Sequence, residues 1–221
     1  MTFQRARSDE QREARRETIL MCAADMLDEM NVGELTLNEL SRRVGLAKSN
    51  VLRYFESREA VLLELLGMFM DRWLSELALD LAGSVEPALP VEVRAEQVAS
   101  TLSRTLANHK VLCDLLGAQG SVLERNISIE VAKRHKRSSF AKLSVMSDLL
   151  RSRLPELGDG CQWFCGLCLL SAGALATYVP APPSLLGAYA EEPSLAMFNL
   201  ELQDALRMTL GSVLLGVLPR P

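Results

Sequence analysis

An all-α fold is what this sequence predicts, on three observations. The first 86 residues contain no proline. Apolar residues recur at intervals of three and four, and no stretch of useful length alternates apolar with polar. Nine helical segments then account for most of the 221 residues, and no repeat period is visible. The first helix is carried by Ile19, Ala23, Met26 or Leu27, and Met30, which share one face. Asn31-Val32-Gly33-Glu34 ends it, and Thr36-Leu37-Asn38-Glu39 is a capping box that opens a short second helix. That helix stops at Gly45. A third short segment covers Lys48 to Phe55, and Ser57 caps a long apolar helix running to about Ala82. Pro87 and Pro90 break the chain before a helix from about Val91 to Asn108, and Gly117 and Gly120 interrupt a shorter one that begins near His109. Ser128 to Arg153 reads as a long helix that stops at Pro155. Cys161 to about Val179 is apolar and is closed by Pro180-Ala-Pro-Pro183, and a last helix runs from about Pro193 to Leu218.

A chain of 24.4 kDa can bury a core without disulfides. Hydrophobic residues at 48% and charged residues at 24% exclude disordered, collagen-like and low-complexity scaffolds. The five cysteines are an odd count with no secretory signal before them, so a reducing cytoplasm is the expected setting. Net charge is −4 and the pI about 5.4, which gives no global sign of nucleic-acid binding. Any DNA-binding surface must therefore be local.

Residues 36–55 supply one. Two short helices joined by Gly45-Leu46-Ala47, behind a supporting helix, have the pattern of a helix-turn-helix reader. Leu40, Val44, Leu46, Val51 and Tyr54 fall where the two helices bury apolar side chains against each other, and Ser41 is the small residue at their crossing. Arg42, Arg43, Lys48 and Arg53 stand against Glu39 alone, a basic face on an acidic protein. A recognition helix enters the major groove by its N-terminal residues, so Lys48, Ser49, Asn50 and Arg53 are placed to reach base edges. Thr36 and Arg58, at the starts of flanking helices, suit phosphate oxygens. The arginines at 5, 7, 12, 15 and 16 form a candidate minor-groove arm whose field is reduced by Asp9, Glu10 and Glu13.

The run Gly-Leu-Ala-Lys-Ser-Asn-Val-Leu-Arg-Tyr-Phe-Glu-Ser-Arg-Glu-Ala from Gly45 to Ala60 resembles the signature of the TetR/AcrR-type helix-turn-helix repressors. The resemblance is strong over residues 15–65. It implies a nine-helix TetR-like fold with a DNA-binding domain at residues 1–60 and a helical effector-binding and dimerisation domain at 61–221. It also implies DNA contacts at Thr36, Asn38, Lys48, Ser49, Asn50, Arg53, Tyr54 and Arg58. The implied partners are a palindromic double-stranded operator and an unidentified small-molecule effector. A second copy of the chain is expected from the residues themselves, because the last two helices, with Leu195, Phe198, Leu202, Leu206, Leu210, Val213 and Val217 along the second, carry more apolar surface than one subunit can cover. Further on, Cys113-Asp-Leu-Leu116, Leu123-Glu-Arg-Asn126 and Leu154-Pro-Glu-Leu157 resemble one subgroup of TetR C-terminal domains. Ala47 departs from the pattern, standing where many members have a Ser or Thr that caps the third helix, a cap worth roughly 1 kcal/mol.

Several features have competing readings. Cys161, Cys165 and Cys168 match the spacing of a cluster-binding or redox loop, but on a helix they share one apolar face and pack as small hydrophobes. With no Lys, Arg or His nearby in sequence, their pKa values are expected not to be lowered. Gly160 to Val179 is long enough to be a membrane span, yet a helix apolar on nearly every side also suits a dimer interface. Lys133-Arg134-His135-Lys136-Arg137 reads as a solvated helix face. Trp73, Met146, Trp163 and Phe164 are candidates for an apolar cavity or for plain core. No residues assemble a general base, nucleophile or metal triad, so neither catalysis nor a cofactor is expected. The expected function is that of a transcriptional repressor, with a membrane-tethered regulator and a cysteine redox sensor as alternatives.

Overall fold

The computed structural model describes the backbone of residues 2–218 and the side chains of residues 10–218 apart from Phe198. Among these residues there are ten α-helices and no strand. Helix α1 (Thr2–Glu29) supports the pair α2 (Leu37–Val44) and α3 (Lys48–Val51). Helix α4 (Arg58–Ser84) then runs from that pair into the body of the protein, with Ser57 accepting the Ala60 N–H at 3.1 Å as its cap. Trp73 on α4 is fully buried, and its indole N–H donates to Thr105 Oγ1 at 3.1 Å on α5 (Val91–Asn108).

After α5 come α6 (Lys110–Ala118), a single π-turn at Gln119–Leu123, and α7 (Ile129–Arg153). Arg94, on α5 and nearly buried, closes the far end of the body. Its guanidinium donates to Glu156 at 3.1 and 2.6 Å and to the carbonyl of Arg153 at 2.9 Å. A fully apolar substitute could not satisfy that carbonyl at the α7 terminus.

Helices α8 (Gly160–Ala176) and α10 (Leu202–Val217) pack side by side, α10 lying also on α5 and α8 also on α6. The α6–α8 crossing is closed by two glycines. A Cβ on Gly173 would stand 2.6 Å from the backbone nitrogen of Gly117, and one on Gly117 2.8 Å from the carbonyl oxygen of Gly173. Only residues without side chains allow this approach.

The predicted last helix from Pro193 is two elements and a turn. A separate helix α9 (Pro183–Glu191) and a 3-10 turn (Pro193–Phe198) precede α10, which starts at Leu202. Both prolines sit in the first turn of their element, where a missing N–H is harmless, so they open helices that the sequence reading took them to close or to continue. No residue of α9 is buried. Phe198, assigned to the last helix, lies outside the described side chains, whereas Leu206 and Leu210 are buried within the subunit. The apolar span at 160–179 forms a helix of 17 residues, and no described helix is long and apolar enough to cross a membrane.

Candidate nucleic-acid interface and cavity

The interface begins with two local devices. Thr36 caps α2 by accepting the Glu39 N–H at 3.2 Å, and Gly45 ends it at φ 71°, donating to the Arg42 carbonyl while Leu46 donates to that of Ser41 at 2.9 Å. Leu40 and Val51 are fully buried between the helices, with Val44, Leu46 and Tyr54 half-buried beside them. Ser41 is buried at the crossing, its hydroxyl donating to the Asn38 carbonyl at 2.8 Å. Ala47 makes no side-chain cap for α3, which is only four residues long.

This packing leaves Lys48, Ser49, Asn50 and Arg53 exposed on one end of the hairpin, with Thr36 and Asn38 exposed on α2. Arg42 and Arg43 do not join that cationic face. Both donate to Glu39, at 2.5 to 3.2 Å, and hold its carboxyl below the usual carboxylate range, while Arg43 also meets Glu29 at 2.7 Å. Lys48 and Arg53 have no carboxylate within 4.0 Å among the described residues, so the local positive charge concentrates on α3 and the turn that follows it. Arg12, Arg15 and Thr18 of α1 share a concave surface with Arg53 and Tyr54.

The candidate arm is not an arm in its described part. Residues 2–29 are one helix, with the side chains of the arginines at 5 and 7 outside the described residues. Arg16 turns inward, pairing with Glu64 and lying 4.8 Å from the centre of the Phe55 ring. Arg58 is also committed within the protein. It donates to the carbonyls of Gly33 and Leu35, each at 3.2 Å, while its buried Nε makes no hydrogen bond and lies 3.5 Å from Glu59. Those carbonyls lie just before Thr36, so Arg58 fixes the backbone that presents the α2 cap.

A cavity of about 780 Å³ lies behind the hairpin, within the range of small-molecule sites. Leu20, Leu63, Leu66, Val131, Leu143 and Leu169 supply apolar wall from α1, α4, α7 and α8. None of Trp73, Met146, Trp163 and Phe164 lines it. Three are buried core and Trp163 is 77% exposed. The cavity instead uses part of the charge run expected to be solvated: Arg134, His135 and Lys136 all face it. His135 is buried, with Nε2 3.2 Å from the Gln119 amide and 3.4 Å from Glu124, and burial lowers its pKa against the pull of that carboxylate. Val131 and Ser139, four residues to either side, mark the inward face that the sequence reading passed over.

Two further hydrogen bonds tie the hairpin to the body. Asp114 on α6 accepts the Val32 N–H at 2.9 Å, and Glu56 accepts the Ser128 N–H at 2.6 Å, where α7 begins. The backbone donor holds the Glu56 carboxyl below its ordinary pKa.

The family profile of the tetracyclin repressor-like C-terminal domain matches residues 69–221. The chain belongs to the TetR family of transcriptional regulators. Solved structures repeat the fold. A TetR regulator from Rhodococcus sp. RHA1 superposes with a TM-score of 0.55 at 12% identity, over 92% of this chain and 96% of that one. The fatty acid degradation regulator FadR from Bacillus halodurans gives 0.52 at 15% identity, over 91% and 95%. FadR from Bacillus subtilis, crystallised with stearoyl-CoA, gives 0.51 at 13% identity, over 92% and 99%. No curated protein sequence matches the chain. As a TetR regulator this protein is a DNA-binding transcription factor of helix-turn-helix type.

The clustered cysteines need one correction. Cys113, Cys161, Cys165 and Cys168 are all buried. Burial pushes Cys113 up to about 12 and raises Cys168 as well. Cys161 goes the other way, below its ordinary value, because the neighbouring Cys165 thiol favours its thiolate, with Ser147 and Arg151 of α7 adding to the effect; Cys165 is raised in turn. The expectation of no lowering rested on the absence of cations nearby in sequence, whereas the lowering comes first from Cys165, one turn along α8, and then from Ser147 and Arg151 of α7. No surface of Cys161 is accessible.

Proposed function

We propose that this TetR regulator is a homodimeric cytoplasmic repressor, released from a palindromic operator when a small molecule fills the cavity between α1, α4, α7 and α8. One observation carries the reading: the cavity wall is shared by the two parts of the chain. Arg16 and Leu20 come from the helix that supports the reader, and the remaining wall comes from the body. An occupant that shifts α1 against α4 therefore moves the hairpin, and the bonds from Asp114 to Val32 and from Glu56 to Ser128 carry the displacement. The division at residue 60 falls in the first turn of α4, the helix common to both parts.

In this reading Lys48, Ser49, Asn50 and Arg53 reach base edges, and Thr36, Asn38 and Tyr54 meet phosphates. Arg58 serves the interface through Thr36. The dimer forms through α8 and α10, which carry Trp163, Leu167, Leu170, Met208 and Leu215 exposed in the single subunit, apolar side chains that a partner would cover.

The test is selection of bound duplexes from a random pool, with light scattering on the free protein. An inverted repeat with half-sites about 34 to 36 Å apart, or a multiple of that spacing, is expected. The scattering mass should be twice 24.4 kDa. Arg53→Ala should weaken the selected site by roughly 1 to 3 kcal/mol and relax one position per half-site. A monomer, or a site without symmetry, would overturn the reading.

A further inference from the structure

The charges around the cavity do not balance in pairs. Four cations line it, Arg16, Arg134, Lys136 and Lys142, with three carboxylates, Glu64, Asp71 and Glu124. Lys142 holds Asp71 at 2.5 Å and Lys136 holds Glu124 at 2.7 Å. Arg16 holds Glu64 closely. Arg134 is left to reach the same Glu64 oxygen at 3.8 Å, beyond hydrogen-bond distance, with 64% of its side chain exposed towards solvent. Its guanidinium is thus a planar fork of donors, poorly used, at the edge of an apolar cavity.

A neutral apolar molecule would leave that fork unused, and an organic cation would add a fifth positive charge. An amphipathic anion fits both parts. Its hydrocarbon chain would bury against Leu63, Leu66, Val131, Leu143 and Leu169, and its carboxylate would take Arg134 in the bidentate manner guanidinium favours. Arg16 lies on the other side of Glu64, so a second carboxylate at this point competes with Glu64 for both arginines. The same Arg16 guanidinium lies against Phe55, whose N–H closes the turn after α3 on the Val51 carbonyl at 3.1 Å.

We propose that the effector is an amphipathic anion, an aliphatic chain ending in a carboxylate. Its headgroup binds Arg134 and Arg16 in competition with Glu64 and so loosens α1 from the end of the recognition hairpin. The assignment rests on the cavity being the effector site and adds the chemistry that the site selects. Glu64 is then a positioning residue: it holds Arg16 against Phe55 while the cavity is empty, and it yields when a ligand carboxylate arrives.

The experiment uses the full-length protein and three probes of equal chain length, decanoate, 1-decanol and decylamine, each competing with the neutral fluorophore N-phenyl-1-naphthylamine. Decanoate should bind at least tenfold more tightly than the other two. Arg134→Ala, at an exposed position where folding is easily checked by circular dichroism, should bring decanoate down to the level of decanol. Glu64→Gln should strengthen decanoate several-fold and leave decanol as it was. Amide exchange around Phe55 and in the facing turns of α1 should speed up with decanoate and stay constant with decanol. If decanol matches decanoate, or the arginine variant keeps the preference, the headgroup proposal is overturned while the cavity still binds ligands. If neither the fluorophore nor any probe binds, the cavity reading itself fails and the proposal falls with it.

Discussion

Between Thr36 and Phe55 the cap, the turn glycine and the apolar spacing that shape the reader answer to near neighbours in sequence, whereas the cavity draws on residues from Arg16 to Leu170. The hairpin's cap, its left-handed glycine and its apolar spacing are local necessities, each with a residue type that serves it. The cavity has no such grammar. Its wall is whatever five segments present once they have packed, and its buried imidazole, His135, belongs to a run of charges that in isolation reads as solvated. Local rules therefore find the DNA-binding element, and long-range contacts make the element that regulates it. If this contrast is right, the two regions should fail differently when a single residue is changed.

The largest effect is expected where two distant segments touch backbone to backbone. Gly173→Ala places a Cβ 2.6 Å from the Gly117 nitrogen and 2.7 Å from the carbonyl carbon of Leu116, atoms that belong to the α6 backbone and cannot swing aside. Overpacking of this kind costs about 3 kcal/mol, offset by about 1 kcal/mol from the better helix propensity of alanine. A net loss near 2 kcal/mol should lower the melting temperature by roughly 4 to 8 °C. Because Leu116 and Gln119 line the cavity, ligand binding should change with it. Thr36→Ala removes only the cap of α2, at a cost of about 1 kcal/mol, and should leave cavity binding alone while weakening DNA binding. Equal melting of Gly173→Ala and the wild type would break the contrast, since the long-range contact would then impose nothing.

The same division explains what could be read from the sequence. The breaks at Gly45, at Ser57 and at Val91 to Asn108 reappear in the structure because a cap, a glycine or a proline fixes each one. Helix α9 escaped because it buries nothing and so has no amphipathic face to count, and because Pro183 at its first position looks like a terminator. Arg58 and Arg16 are instructive in another way. Sequence position placed both near DNA, yet each guanidinium finds partners inside the protein, two carbonyls in one case and Glu64 with Phe55 in the other. A pattern locates a side chain on an element, and only packing decides which way it turns.

A smaller, pH-dependent effect should single out the cavity. Burial holds the His135 pKa below its ordinary 6.5, against the attraction of Glu124. The unfolded chain then binds a proton that the folded one resists, so stability falls as pH drops below about 6.5 and stops falling once the folded-state pKa is passed. His135→Gln can keep hydrogen bonds with Gln119 and Glu124 without titrating, and it should flatten that part of the profile in denaturant titrations between pH 5 and 7. A variant whose pH profile matched the wild type would show that another group governs this range. The hairpin contains no histidine, so variants confined to residues 36–55 should leave the slope as it is.

The smallest expected effect is none at all, at the one place where the assembled interior makes a group chemically sharper than its sequence suggests. Cys161 is drawn below its ordinary pKa by the Cys165 thiol and the α7 groups around it, the direction that a sensor thiol needs. Oxidation also needs an approach, and Cys161, Cys165 and Cys168 have no accessible surface, with the Cys161 sulfur 3.4 Å from the Ser147 carbonyl. Peroxide at concentrations that oxidise the more exposed Cys22 should therefore leave operator affinity unchanged, in the wild type and in the variant with alanine at 161, 165 and 168 alike. Alanine is the replacement of choice because serine hydroxyls would be buried there without sure partners. Loss of affinity that a thiol reductant reverses in the wild type, and that is absent in the triple variant, would mean that this interior opens on the timescale of oxidation. The cysteines would then be a second input to the same switch, reached through motion of α8 against α7.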